Sequence, residues 1–136
     1  MYLTYKPEGS EEPTRWKYDP RKLMSAEREK LERLTDRNYS EFTKDVVSGN
    51  SLCRRALLFV YLKRQHPTTR FEDVDFAWDE LSLEYTKAEL ITIRETVAES
   101  ASGEKAAVAL AKLDEQIAEA PEDPDDEGKA QLPIAG

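Results

Sequence analysis

The stretch RRALLFVYLKRQHP, residues 54–67, decides how this chain is read. Seven apolar side chains in succession, Ala56 to Leu62, lie between the basic pairs Arg54, Arg55 and Lys63, Arg64, and Pro67 closes the run. Asn50 or Ser51 stands where a helix cap belongs, so the spacing predicts a helix that runs to about Gln65. Neighbouring residues of a helix point about 100° apart, so an unbroken apolar run covers every face of the cylinder. Such a helix is normally enclosed by its own protein, with Arg and Lys at its ends reaching back to water. The run is also far shorter than the roughly 18 apolar residues that a membrane span requires.

Working outward, the segments on either side read as further helices. Ser25 is placed to cap a helix through Leu34, with Met24, Leu31 and Leu34 on a thin apolar side. Ser40 is placed to cap a second, in which Phe42, Val46 and Val47 share a face, and Gly49 should end it in a left-handed C-terminal cap. On the C-terminal side, Thr69 and Glu72 fit a capping box opening a short segment with Val74 and Phe76, and Trp78 is expected to anchor that segment to the core. Leu81, Leu83 and Tyr85 alternate briefly. Thr86 and Glu89 then form a second capping box, for a helix bearing Leu90, Ile93 and Val97. A break at Ser102-Gly103 precedes an alanine-rich helix with Val108, Leu110, Leu113 and Ile117 as its apolar positions.

The first twenty residues have a different period. Leu3 and Tyr5 share one face and Trp16 and Tyr18 another, with PEGSEEP between, the pattern of a β-hairpin with a long loop. The expected fold is therefore mainly α: a short N-terminal β-hairpin (1–20) packed on a helical core domain (21–100), a C-terminal helix (101–120) and a disordered acidic tail (121–136).

Charge is segregated along the chain. Residues 1–70 carry 15 Lys and Arg against 10 Asp and Glu, whereas residues 71–136 carry 5 against 18, for a net charge of -8 over all 136 residues. That balance argues against non-specific binding to nucleic acid or anionic membrane, since phosphates repel the molecule on approach. A regulator gripping nucleic acid through Arg54, Arg55, Lys63, Arg64 and Arg70 is accordingly the weakest of the functional readings. The single cysteine, Cys53, excludes an intramolecular disulfide and suits a reducing cytosol. The N-terminus has no cationic segment followed by an apolar one, so no secretion signal is expected.

Catalytic constellations are absent. The one histidine, His66, precedes Pro67 at a helix end, where a dipole partner is the ordinary role, and no second histidine exists to build a metal site. Asp73, Asp75, Asp79 and Glu80 read as a solvated acidic face, and the run from Asp123 fails as a calcium loop because its twelfth position is Ile134. No enzyme activity, no metal and no cofactor are expected.

Residues 2 to 85 resemble the small tail assembly chaperones of long-tailed phages, in the form found in phages of actinobacteria. The resemblance is carried by YLTYKPEGSEEPTRWKYDPRKL, by ERLTDRNYSEF, by RRALLFVYLKRQHPTTRFEDVDF and by the DEL of residues 79–81. Two positions depart from the family pattern: Asp36 stands where a glycine usually follows the threonine, making a left-handed turn less assured, and Phe59 stands where tryptophan is common.

The resemblance implies a non-enzymatic protein that binds and solubilises the tape-measure protein in the cytoplasm of an infected bacterium, helps gather tail-tube subunits, and leaves before the virion is complete. It further implies a longer product made by ribosomal frameshifting, for which Glu127-Gly128-Lys129 can be encoded by a slippery run. On this reading the helix of residues 52–65 packs the fold with one side and presents Arg54, Arg55, Leu58, Phe59, Tyr61, Leu62, Lys63 and Arg64 to a client or to another copy. A structural virion protein at the head-tail joint or in the tail is the alternative.

Overall fold

The computed structural model describes residues 1–122. Mostly helical, with five α-helices and a small three-stranded sheet, it divides into two compact units, one spanning Leu3–Leu83 and the other Met1–Tyr2 with the chain from Glu84 onward. The division falls after Leu83, so the helix following Thr86 groups with the C-terminal helix and not with a core of residues 21–100. Residues 123–136 of the expected acidic tail, with the frameshift expected at Glu127-Gly128-Lys129, lie outside the described residues.

In the larger unit, strands β1 (Tyr2–Tyr5) and β2 (Thr14–Lys17) form the expected pair, and a third strand, β3 (Leu81–Glu84), completes a sheet of order β2-β1-β3. The brief alternation at Leu81 and Leu83 was the trace of β3. Glu80 holds the corner: its backbone carbonyl accepts from Lys6 N at 2.8 Å, and its carboxylate accepts from Glu8 N and Ala77 N, each at 2.6 Å. Those donors hold its carboxyl below the usual range.

Helices α1 (Ser25–Thr35), α2 (Tyr39–Ser48) and α3 (Ser51–Gln65) pack on one another. The first two start a residue or two earlier than their serines suggest. Met24 and Asn38 occupy the cap positions, and neither makes a side-chain cap bond. For α2 the work is done from a distance, because the Glu32 carboxylate of α1 accepts from Tyr39 N at 3.0 Å. Gly49 ends α2 at φ 92°, as its position implied, and Asn50 caps α3 by accepting from Cys53 N at 3.0 Å. Asp36 ends α1 at φ 50°, so the left-handed turn forms without glycine.

Helix α3 is the centre of this unit. Cys53 and the six successive residues Ala56 to Tyr61 are all buried, which matches an apolar run that leaves no face for water. Leu3, Tyr18, Leu31, Phe42, Val46 and Leu81 are buried with it. Met24 and Val47, by contrast, are exposed, as is Trp78 at 69%. Trp78 does not enter the core because Gly49 gives it a seat outside: a Cβ on Gly49 would stand 3.0 Å from its ring. The segment before it makes only a 3-10 turn, Phe71–Asp73, followed by non-helical backbone. Thr69 does not cap that turn; its hydroxyl donates to the His66 carbonyl.

In the second unit, α4 (Lys87–Ser100) and α5 (Glu104–Glu119) pack together and are joined by a bidentate pair, Arg94 to Asp114 at 2.6 and 3.4 Å. The Thr86–Glu89 capping box is complete, with bonds of 2.9 and 3.2 Å. Leu90 and Ala106 are the buried apolar residues here, whereas Val108 is 61% exposed. Among the described residues no helix is long and apolar enough to cross a membrane.

Candidate functional site

Helices α1 and α3 enclose a surface groove of about 270 Å³, lined by Ala26, Glu27 and Lys30 from one and by Phe59, Val60, Lys63 and Arg64 from the other. The two contributions obey one rule: residues four apart on a helix lie on the same face, so Ala26 and Lys30 form one wall, and Phe59 with Lys63 and Val60 with Arg64 form the other. Phe59 and Val60, almost wholly buried, supply an apolar floor. The volume is below the range of small-molecule pockets and suits one or two side chains of a partner.

The charges at the rim are unequally engaged. Arg64 grips Glu27 with two bonds, Nε to Oε2 at 2.8 Å and Nη2 to Oε1 at 2.6 Å, a fork-to-fork geometry that ties α3 to α1. The Glu27 carboxyl is held below its ordinary range, chiefly by those hydrogen bonds, and Arg64 is raised in return. Lys30 and Lys63 are different. Their ammonium groups lie 5.9 and 5.4 Å from the centre of the Phe59 ring, and neither is ion-paired with a carboxylate among the described residues. The groove therefore offers two available cations over an aromatic floor, in a chain whose net charge is -8.

Of the residues expected on a client-facing side of α3, the structure brings Phe59, Lys63 and Arg64 to this groove and turns the others elsewhere. Leu58 has no exposed surface, and Tyr61, 2% exposed, lies in the core, where its ring stacks on Trp16 at 5.7 Å and its hydroxyl donates to the Lys17 carbonyl. Burial pushes the Tyr61 phenol up to about 12, so it remains a donor. Leu62 is half-buried and does not line the groove.

The first basic pair serves the fold. Arg54 Nε donates to the Val46 carbonyl at 2.9 Å, satisfying an acceptor at the end of α2, and its guanidinium lies 5.6 Å from the Trp78 ring centre. Arg55 donates to the carbonyls of Val74 and Phe71 at 2.5 and 2.8 Å. These bonds tie the 71–74 turn to α3, while the Phe71 carbonyl also accepts from Val74 N at 3.1 Å within the turn. Arg70 is bonded to Asp73 at 3.0 and 3.2 Å. The five basic residues considered for nucleic acid thus point to separate tasks and form no single face.

Sequence reasoning did not find Ala26, Glu27, Lys30 or Val60. The spacing of Ala26 and Lys30 was visible, but nothing local announces that α1 lies beside the far end of α3, 37 residues on from Glu27. Groups suited to chemistry do not gather at this groove. His66 is exposed beyond the end of α3, and the buried Cys53 thiol is raised by desolvation, opposite to a reactive thiolate. Among the described residues no three His, Cys, Asp or Glu side chains are grouped to hold a metal ion. Comparison with protein-family models, curated proteins and solved structures gave no match.

Proposed function

We propose that this chain is a non-enzymatic tail assembly chaperone of a long-tailed phage, which binds and solubilises the tape-measure protein and helps recruit tail-tube subunits. The observation that carries the reading is the α1/α3 groove: an apolar floor bounded by cations and sized for a partner's side chains. The reading joins that groove to the resemblance of residues 2–85 to such chaperones. A long helical client with apolar faces aggregates unless those faces are covered, and a highly charged carrier with a shallow apolar groove can cover them reversibly. The chain acts, on this reading, in the host cytoplasm and is absent from the mature virion. A longer frameshifted product contacts the tail-tube protein, and copies associate with one another.

Co-expression with the tape-measure protein of the same genome tests the reading. The client should be soluble and co-purify with this chain, and should aggregate without it. An insoluble client in both cases removes the chaperone reading. One observation favours the alternative, a structural virion protein: Trp78 is 69% exposed, and a large aromatic held on the surface suits a permanent interface. Stoichiometric amounts of the chain in purified particles would establish it.

A further inference from the structure

We infer that the α1/α3 groove selects partner segments in which an apolar side chain is flanked by carboxylates: the client's docking sites are acidic amphipathic stretches, and basic ones are rejected. This rests on the chaperone reading for the source of the segment, but the selectivity follows from the groove itself.

The floor and the rim make separate demands. The bottom is apolar, made by the exposed Ala26 and the edges of Phe59 and Val60, which are 2% and 5% exposed, so an occupant gains by resting an aliphatic or aromatic side chain on it. Above the floor, Lys30 and Lys63 approach the Phe59 ring from opposite walls, one from each helix. Neither is ion-paired with a carboxylate among the described residues, whereas Arg64 already holds Glu27. The local balance of the lining is thus two positive charges. A carboxylate within a turn of the inserted side chain reaches one ammonium group, and a second on the other side reaches the other. A basic segment meets two uncompensated cations at close range, and like charges at such separations suppress binding more effectively than opposite charges strengthen it. The occupant is a peptide rather than nucleic acid, because the groove takes only one or two side chains and the other basic residues, Arg54, Arg55 and Arg70, are bonded elsewhere in the fold, leaving no basic face to follow a phosphate backbone.

Two labelled helical peptides of about 15 residues test the inference. They share the same leucine positions; one carries glutamate on the flanks and the other lysine. Titrated with the full chain at low ionic strength and followed by fluorescence anisotropy, the glutamate peptide should bind at least about tenfold more tightly, and added salt should erase the difference. Lys30→Glu with Lys63→Glu should invert the preference, and Lys30→Gln with Lys63→Gln, a milder pair at the same surface positions, should abolish it. Equal affinities in the unmodified chain, or a preference that survives both double substitutions, overturns the inference. So does a chain that binds neither peptide and instead loses concentration-dependent self-association on charge reversal, which would make the occupant a second copy. A client rescued by co-expression with no charge preference leaves the chaperone reading intact and removes only this assignment. Selective binding without rescue does the reverse.

Discussion

The guanidinium carbon of Arg55 lies 4.1 Å from the centre of the Phe71 ring while its Nη2 donates to the Phe71 carbonyl at 2.8 Å. One side chain thus fixes both the ring and the backbone of a residue 16 positions away, and its Nε holds Val74 as well. Lysine cannot reproduce this, having one compact ammonium in place of a planar fork. Arg55→Lys should therefore cost about 1–2 kcal/mol in urea unfolding, with faster hydrogen exchange centred on residues 71–74. An unchanged unfolding midpoint would mean that these contacts contribute nothing net.

Gly49 and Trp78 form a second coupled pair. At φ 92° a side chain is strained, and a Cβ there would press on the indole at 3.0 Å. Gly49→Ala should lower stability by roughly 1–2 kcal/mol and shift the tryptophan emission as the ring is displaced. Combining it with Trp78→Ala should recover the steric part of the loss while leaving the backbone strain. Strict additivity of the two substitutions would show that the ring and the glycine are not coupled.

Asp36 offers a gain. It holds a left-handed conformation at φ 50° with its backbone N–H bonded to the Glu32 carbonyl. Glycine adopts that conformation without the Cβ penalty, so Asp36→Gly should stabilise the chain by about 0.5–1 kcal/mol and raise Tm by a few degrees. Asp36→Val should destabilise it, because a β-branched side chain is poorly accommodated there. Calorimetry on the two variants decides the matter by the sign of each shift.

The Glu27–Arg64 pair sets a dependence on acid. The Glu27 carboxyl titrates below its unfolded value of 4.5, chiefly because of the hydrogen bonds from Arg64. A depressed carboxylate contributes stability that is present above the unfolded value and lost as pH falls through the folded one. Stability should decline below about pH 4.5 in the native chain, and Glu27→Gln should remove part of that decline. At the alkaline end Tyr61 acts in the opposite sense. Its phenol, raised by burial to about 12, contributes stability that is complete below its ordinary value of 10 and lost as pH climbs toward 12. Parallel pH profiles for the native chain and Glu27→Gln would contradict the assignment to Glu27.

Local rules accounted for much of this molecule. The apolar run from Ala56 to Leu62 already contained a buried central helix, because seven residues at about 100° apiece leave no polar face. Gly49, Asn50 and the Thr86–Glu89 box marked helix ends through bonds that span only a few residues, so their chemistry was visible in short windows. The period-2 spacing at Leu3 and Tyr5 likewise identified the hairpin. What the linear order could not decide was who meets whom. Glu32 caps α2 from α1, Arg55 restrains residues 71–74, and β3 joins β1 across most of the chain. Each depends on contacts that exist only once the helices have packed.

The groove is the sharpest case. From its pattern, α3 had two basic pairs that looked equivalent. Tertiary structure spends the first on backbone carbonyls, gives one member of the second to Glu27, and leaves Lys63 to meet Lys30 over Phe59. Composition and periodicity determined that the chain would fold around residues 54–67. Only packing decided which of its charges remain available to a partner, because a cation is free or consumed according to acceptors that arrive from elsewhere in the sequence.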